Sequence, residues 1–253
     1  MQIQLSVVII TFNEEKNIKR CLNSVKNVAD EIVVIDSFST DQTKEICLKH
    51  GVTFIEKEWE GYSGSKNFGN QKASYNWILS LDADEALSEK LIQSIISFKN
   101  NPIGSCGKFN RLTNYCGSWI KHGGWYPDAK IRIFDKTLAK WDGSIHEELV
   151  FSTPTAVNYL SGDCLHYSYY SLEQHYAQAE KFTSIAAQDL FEKGKKLSFI
   201  KLYFSPIIKF LRDYIFKLGF LDGAAGFTVA RISAYATYLK YAKLKKLHST
   251  HGV

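Results

Sequence analysis

The sequence is poor in the features that mark many protein classes. Its five cysteines (Cys21, Cys47, Cys106, Cys116 and Cys164) are scattered and form no CxxC pair. An odd, unpatterned set argues against a disulfide framework or a zinc site and points to reduced structural thiols. The chain contains neither a GxxxxGK[ST] loop nor a GxGxxG fingerprint, which removes the two commonest glycine-rich phosphate loops. No apolar stretch reaches the ~20 residues of a spanning helix. The opening "MQIQLSVVIITFNEE" lacks a basic region and a small-residue cleavage site, so it reads as a first strand and not a signal peptide, and the protein is expected to be cytoplasmic. There is no internal repeat or low-complexity tract, and no nucleic-acid partner is expected. A hydrophobic share of 45% with 23% charged residues is that of a soluble globular chain and excludes disorder.

The positive charge is unevenly distributed. From residue 198 onward nine basic residues face two acids, Asp213 and Asp222, giving +7, so residues 1–197 carry −2 of the chain's net +5. The basicity belongs to the C-terminal extension.

Strands and helices alternate at short intervals through the first hundred residues. "LSVVIIT", "DEIVVIDS", "VTFIEKEW" and "NWILSLDADE" are apolar, β-branched runs of the kind found in parallel strands covered on both faces. Between them "NEEKNIKRCLNSVKN", "STDQTKEICLKHG" and "SGSKNFGNQKAS" read as helices, and "SEKLIQSIISFKN" follows as another, with Ser88 as N-cap. This alternation means βαβ units and a parallel sheet. Beyond Asn101-Pro102 the glycine-punctuated, aromatic stretch "GKFNRLTNYCGSWIKHGGWYPDAKIRIFDK" reads as mixed or antiparallel β, and helix returns from Ser171 to Lys195. The expected organisation is a catalytic domain over 1–197, with halves 1–101 and 102–197, and a helical extension over 198–253.

Ligands of open parallel sheets bind beyond the carboxyl ends of the strands. Thr11 to Glu14, Asp36 to Thr40, and Asp82 to Glu85 all fall at such ends. In "SLDADE" Asp82 and Asp84 share a face of an extended strand or turn together into a site. Oxygen ligands there suit Mg²⁺ or Mn²⁺ with positions left open for phosphate; the plainer reading is a strand-exit turn with acids favoured at the next helix start. Asp36 can accept from a base or a ribose hydroxyl, while Thr40 or Asp41 caps the following helix. Lys66, among glycines near a helix start, stands where anions are favoured, though a surface lysine is the default.

"SVVIITFNEEKNI", "EIVVIDSFSTDQT", "GSKNFG" and "LDADE" occur in the order, and at about the intervals, of the inverting family 2 glycosyltransferases, and Leu5 to about His166 resembles that family. The resemblance implies a GT-A fold, an α/β architecture whose Rossmann-like, nucleotide-binding mixed sheet is flanked by helices, here with the C-terminal helical extension. It implies uridine contacts from Thr11, Asn13, Glu14 and Asp36, a basic contact from Lys66, and a DxD pair in which Asp82 and Asp84 meet the ribose and the metal. "HGGWYPD" looks like the loop lining the sugar and acceptor, implying Gly123, Gly124, Trp125, Tyr126 and Asp128. "GSIHEEL" looks like the segment of the acidic base, giving Glu147 or Glu148, and His166 looks like the histidine completing the metal shell. The implied reaction is a single inverting displacement at a UDP-sugar assisted by Mn²⁺ or Mg²⁺. Trp119, Trp125 and Tyr126 suit sugar stacking or an aromatic core equally.

The segment "FIKLYFSPIIKFLRDYIFKLGF" joins a basic stripe to a broad apolar face, the pattern of an in-plane interfacial helix. "FTVARISAYATYLKYAKLKK" adds a helix ending in lysines suited to anionic lipid. The expectation is a peripheral protein on the inner leaflet of the cytoplasmic membrane; packing on the catalytic domain or a dimer partner would use the same face. "NYCGSWIKHGGWYPD", "SIHEEL" and "GFLDGAAG" together resemble bacterial enzymes that add β-glucose to the inner-core heptose of lipopolysaccharide, implying UDP-glucose as donor and a lipid-linked oligosaccharide as acceptor. Competing expectations are another polysaccharide or protein acceptor, a sugar nucleotidyltransferase, and a non-catalytic glycan- or membrane-binding module. The nucleotidyltransferase would want a basic glycine loop after the first strand, where "TFNEEKN" stands instead.

Overall fold

The β-branched Leu5–Thr11 run forms β1, buried at every position. The computed structural model describes residues 2–102, 104–143, 147–196 and 198–251. The alternation expected of the first hundred residues is present: α1 (Ile18–Val25), β2 (Glu31–Asp36), α2 (Thr43–Lys49), β3 (Thr53–Glu56), α3 (Gly61–Lys72), β4 (Trp77–Asp82), β5 (Glu85–Leu87) and α4 (Glu89–Asn100). β6 (Cys106–Tyr115), β7 (Ser118–Ile120), β8 (Ala129–Asp135), β9 (Ala139–Asp142), β10 (Glu148–Phe151) and β11 (Val157–Tyr169) follow, then α5 (Leu172–Glu192), α6 (Phe199–Leu211) and α7 (Gly223–His251). Ser88 caps α4 as expected, its hydroxyl accepting from the Leu91 N–H. At α2 it is Asp41, not Thr40, whose carboxylate accepts from the Thr43 N–H.

Two compact units are present, Met1–Arg111 with Asp128–His166, and Leu112–Pro127 with Tyr167–Val253. Residues 112–127 and 167–197 thus group with the C-terminal extension and not with the rest of the stretch 1–197.

In the first unit the strand order is β3-β2-β1-β4-β8-β6-β11-β5. β3, β2, β1 and β4 run parallel. β8 joins β4 antiparallel, and β5 joins β11 antiparallel. Thr11 lies opposite Asp36 and Ile10 opposite Asp82, so the polar ends of three strands line up in register. Two apolar clusters fill this unit. One, containing Leu5, Val7, Ile9, Leu22 and Ile95, packs α1 and α4 against the sheet; the other contains Val8, Ile10, Val33, Ile35 and Trp141.

The fourth strand is shorter than the sequence suggests. It ends at Asp82, the chain turns through Ala83 and Asp84, and Glu85 starts β5 opposite His166. The "DADE" stretch is therefore a reversal between two strands.

In the second unit, β7 pairs with the end of β6. Tyr115, Ile120 and Val229 form a small core against which Trp125 and Tyr169 pack. Between α6 and α7 the chain makes a π-helical turn over Arg212–Phe216 and a 3-10 turn over Gly219–Asp222. Among the described residues no helix is long and apolar enough to cross a membrane.

Candidate active site

The parallel half of the first unit presents its polar residues in three turns beyond the strand ends. Asn13, in a left-handed conformation, ties the first two turns together. Its backbone N–H donates to Ser39 Oγ at 2.8 Å, and its side-chain Oδ1 accepts from the Thr40 N–H at 2.8 Å. Asp36 is fully buried and accepts from the Ser39 N–H at 2.7 Å and from its hydroxyl at 2.5 Å. Thr11 is buried beside it at the end of β1. The Glu14 N–H donates to Thr43 Oγ1 and its carboxylate accepts from Asn17. Burial raises the Glu14 carboxyl above the usual carboxylate range, with Asp84 adding to the rise and the Asn17 bond opposing it. Thr11, Asn13, Glu14 and Asp36 thus belong to one connected set of turns.

Lys66 is not a helix-start lysine. It sits in the interior of α3, fully buried, with Nζ 3.1 Å from Asp82 Oδ1, 2.8 Å from Glu147 Oε1 and 4.9 Å from the Trp141 ring centroid. A charged group out of water must be paired, and the two carboxylates supply that pairing. Asp82 also meets Arg132 Nη2 at 3.2 Å. Burial pushes the Asp82 carboxyl up, but Lys66 and Arg132 outweigh it and hold the group well below its ordinary value.

From Asp82 the charges continue in alternation. Arg132, buried on β8, reaches Glu85 at 3.1 Å; Arg111 on β6 lies 3.8 Å from Glu85 and 2.9 Å from Asp128. Glu85 is itself buried and accepts from the Asp82 N–H at 3.0 Å, which fixes the turn that carries Asp84. Glu147, Lys66, Asp82, Arg132, Glu85, Arg111 and Asp128 form one chain of opposite charges across the unit. Glu85 lies in the anticipated Asp82 to Glu85 stretch but had no role assigned to it, and Arg111 and Arg132 were not anticipated as site residues. The available signal was slight: Arg132 is a charge at a strand position flanked by apolar Ile131 and Ile133 in "KIRIFD".

Asp84 stands outside that chain and pairs with His166, Nε2 to Oδ2, at 3.1 Å. Burial lowers the His166 imidazole's proton affinity, but Asp84 outweighs this and raises it above the ordinary histidine value. Its Nδ1 is buried without a hydrogen-bond partner among the described residues. The expected trio of Asp82, Asp84 and His166 is only partly assembled: among the described residues no three His, Cys, Asp or Glu side chains are gathered as a metal would need. Asp82 turns toward Lys66 and Arg132 instead.

Of the two candidate bases, Glu147 belongs to the charge chain, whereas Glu148 is exposed at the start of β10. Residues 144–146 of "GSIHEEL" lie outside the described residues. Of the residues assigned to acceptor or sugar, Asp128 is in the first unit, held by Arg111 and Lys130. Gly123, Gly124, Trp125 and Tyr126 are in the second. There Trp125 packs against Tyr115, Tyr169 and His175 with ring centroids 5.9, 5.9 and 5.8 Å away, an aromatic core; Trp119 meets Tyr167 edge-on at 5.4 Å.

The polar strand ends, the Asp82–Asp84 turn and Glu147 all fall within or next to elements that one family profile covers: the description "Glycosyl transferase family 2" matches residues 6–175. The chain belongs to glycosyl transferase family 2. Its mixed sheet flanked by helices is the GT-A architecture expected from the sequence. An uncharacterized family relative from Rickettsia typhi, a glycosyltransferase, is 36% identical over 256 residues, covering 96% of this chain and 87% of its own. The lipopolysaccharide core biosynthesis glycosyltransferase LpsC of Rhizobium meliloti is 28% identical over 264 residues, covering 98% of this chain and 94% of its own. Among solved structures, S. aureus TarS 1–349 in complex with UDP aligns over 99% of this chain and 92% of that one, with a TM-score of 0.48 and 17% identity.

Proposed function

We propose that this family 2 glycosyltransferase moves glucose from UDP-glucose onto a lipid-linked glycan, the heptose of a lipopolysaccharide inner core, with inversion to a β-glycoside. The observation that carries this reading is the joining of Asp82 and Glu147 through one buried lysine, which brings a nucleotide-side carboxylate and a base candidate to the same ammonium. The similarity to LpsC supports the acceptor class.

The turns holding Thr11, Asn13, Glu14 and Asp36 receive the uridine, with Asp36 exchanging its Ser39 bonds for a ligand's donor. Asp82 serves the ribose side. Two donors of the kind Mn²⁺ takes stand next to it, the Asp84 carboxylate and the His166 imidazole 3.1 Å apart; no third such side chain is gathered with them among the described residues, so phosphate oxygens and water would complete the shell. Asp84 and His166 would hold the cation, which when bound offsets the charge building on the departing diphosphate. Glu147, positioned by Lys66 through one carboxylate oxygen, takes the acceptor hydroxyl's proton as the anomeric carbon is attacked. The apolar stripe of α6, exposed at Ile200, Phe204, Ile207 and Leu211, lies in the interfacial layer of the inner leaflet.

The test is UDP release from UDP-glucose with Mn²⁺ or Mg²⁺, with and without extracted core lipid. Asp84→Ala abolishes release while circular dichroism stays unchanged, and excess chelator does the same to the parent protein. Glu147→Gln removes transfer to the lipid, whereas Glu148→Gln retains it. Turnover surviving in the Asp84 variant refutes the metal role, and equal loss in both glutamate variants refutes the base assignment.

A further inference from the structure

The second unit contains a cavity of about 310 Å³ lined by Lys121, His122, Gly124, Tyr126, Pro127 and Lys217. Its construction is specific. Asp222, nearly buried, accepts from the backbone N–H groups of Lys121 and His122 at 3.0 and 2.8 Å, and from His122 Nδ1 at 2.8 Å. With Nδ1 taken, Nε2 is the ring nitrogen left for a ligand. The Gly123 N–H donates to the Lys217 carbonyl at 2.9 Å. A Cβ added at Gly124 would meet Lys217 Nζ at 2.6 Å and Cδ at 2.9 Å, and Gly124 has φ +83°, so only glycine leaves room for the lysine to lie across it. The backbone bond places Lys217 on the cavity wall, with its side chain lying over Gly124.

Neither Lys121 nor Lys217 has a carboxylate within ion-pair distance among the described residues. The nearby Lys209 and Arg212 differ, both being spent on Asp213 at 2.6 and 2.9 Å. Two ammonium groups without a carboxylate partner face one hollow, an arrangement that suits a phosphoryl group, and the oriented imidazole adds an Nε2–H donor when it carries its second proton. The surroundings say where that group would come from. Lys217 is flanked by Phe216, 79% exposed, and Leu218, 46% exposed, and the same connection exposes Phe220 and Leu221. Large apolar side chains beside a cationic hollow fit the boundary between acyl chains and headgroups.

We propose that this cavity is a lipid-phosphate site: Lys121, His122 and Lys217 receive the phosphomonoester headgroup of a membrane lipid while Phe216 and Leu221 enter the apolar layer beside it. The assignment rests on the membrane reading above and deepens it from general attraction to recognition of one headgroup. A monoester is favoured over a diester because it offers one more free oxygen and carries close to two charges at neutral pH.

Co-sedimentation of the full chain with vesicles tests this, using phosphatidylcholine mixed with either phosphatidic acid or phosphatidylglycerol at matched surface potential. The parent protein binds the phosphatidic acid vesicles more tightly. Lys121→Gln/Lys217→Gln weakens that binding ~30-fold, at about fivefold per lysine near an anionic surface, and removes the preference. Lys245→Gln/Lys246→Gln, two exposed lysines of α7, weakens both lipids alike and keeps the preference. Equal binding of the two lipids by the parent overturns the headgroup assignment, and no binding to any vesicle overturns the membrane reading with it. A second arm follows the labelled His122 ring by NMR during titration with methyl phosphate. A saturable shift that Lys121→Gln/Lys217→Gln abolishes supports the phosphoryl pocket. The same shift without lipid discrimination means that the phosphoryl group comes from a soluble source and sinks the lipid assignment.

Discussion

Replacing Lys66 with methionine keeps the length of the side chain but removes the ammonium between Asp82 and Glu147. At an effective dielectric of ~20, each contact near 3 Å is worth roughly 5 kcal/mol of attraction, and the desolvation of a buried ammonium offsets several kcal/mol of the total. Asp82 retains Arg132 at 3.2 Å, whereas Glu147 has no second cation among the described residues. Both carboxylates are about a fifth to a quarter exposed, so water relieves part of the loss. The net destabilisation should be about 3 kcal/mol, at the low end for breaking a buried pair. Urea unfolding followed by tryptophan fluorescence measures it, together with UDP release from UDP-glucose, which should fall with the stability. The double variant Lys66→Met/Glu147→Gln should recover about 2 kcal/mol of the single loss, since no unpaired carboxylate is then left at that position. A Lys66→Met protein within about 0.5 kcal/mol of the parent, or additive losses in the double variant, would show that Lys66 is a bystander and that Glu147 is not positioned through it.

Two further outcomes follow from packing and titration. A Cβ at Gly69 would lie 2.5 Å from Val8 Cγ1 and 3.0 Å from Ile35 Cγ1, so Gly69→Ala should push α3 off the sheet and cost about 2 kcal/mol in urea unfolding; an unchanged midpoint would mean that α3 shifts freely. His175 is buried against Tyr115, and burial pushes its imidazole down to about 4 from an ordinary 6.5. Its neutral form belongs to the folded state, so the unfolded chain binds the extra proton as pH falls below about 6.5, and stability should drop by about 2 kcal/mol between pH 7 and pH 5. That share of the slope should vanish in His175→Gln; a slope identical to the parent's would remove His175 as its source.

Much of the fold was legible because its signals are local. The β-branched composition of Leu5–Thr11 marks a covered strand, and Ser88 just ahead of a helical apolar pattern marks an N-cap, which its hydroxyl fills by accepting from the Leu91 N–H. The same locality located the polar strand ends, since Thr11, Asp36 and Asp82 each terminate an apolar run, and parallel pairing then brings them into register. It also misread one boundary: the apolar run ahead of "DADE" suggested one continuous strand, but Glu85 pairs with β11, about eighty residues away in the chain.

What the sequence determined by itself was the family, the parallel half of the sheet, the strand-end acids and the basic, apolar character of the extension. The tertiary structure decided the charge partners. Lys66, expected near a helix start, is the buried link between Asp82 and Glu147; Arg111 and Arg132 joined the site without forming any short motif; and Glu147 was separated from Glu148 by its pairing with Lys66. The physical reason is that a carboxylate's partner is set by strand order and register across the sheet, and a buried charge is tolerated only where such distant pairing meets it. Periodicity records which residues are inside, but the partner that makes a charge stable there comes from another part of the chain.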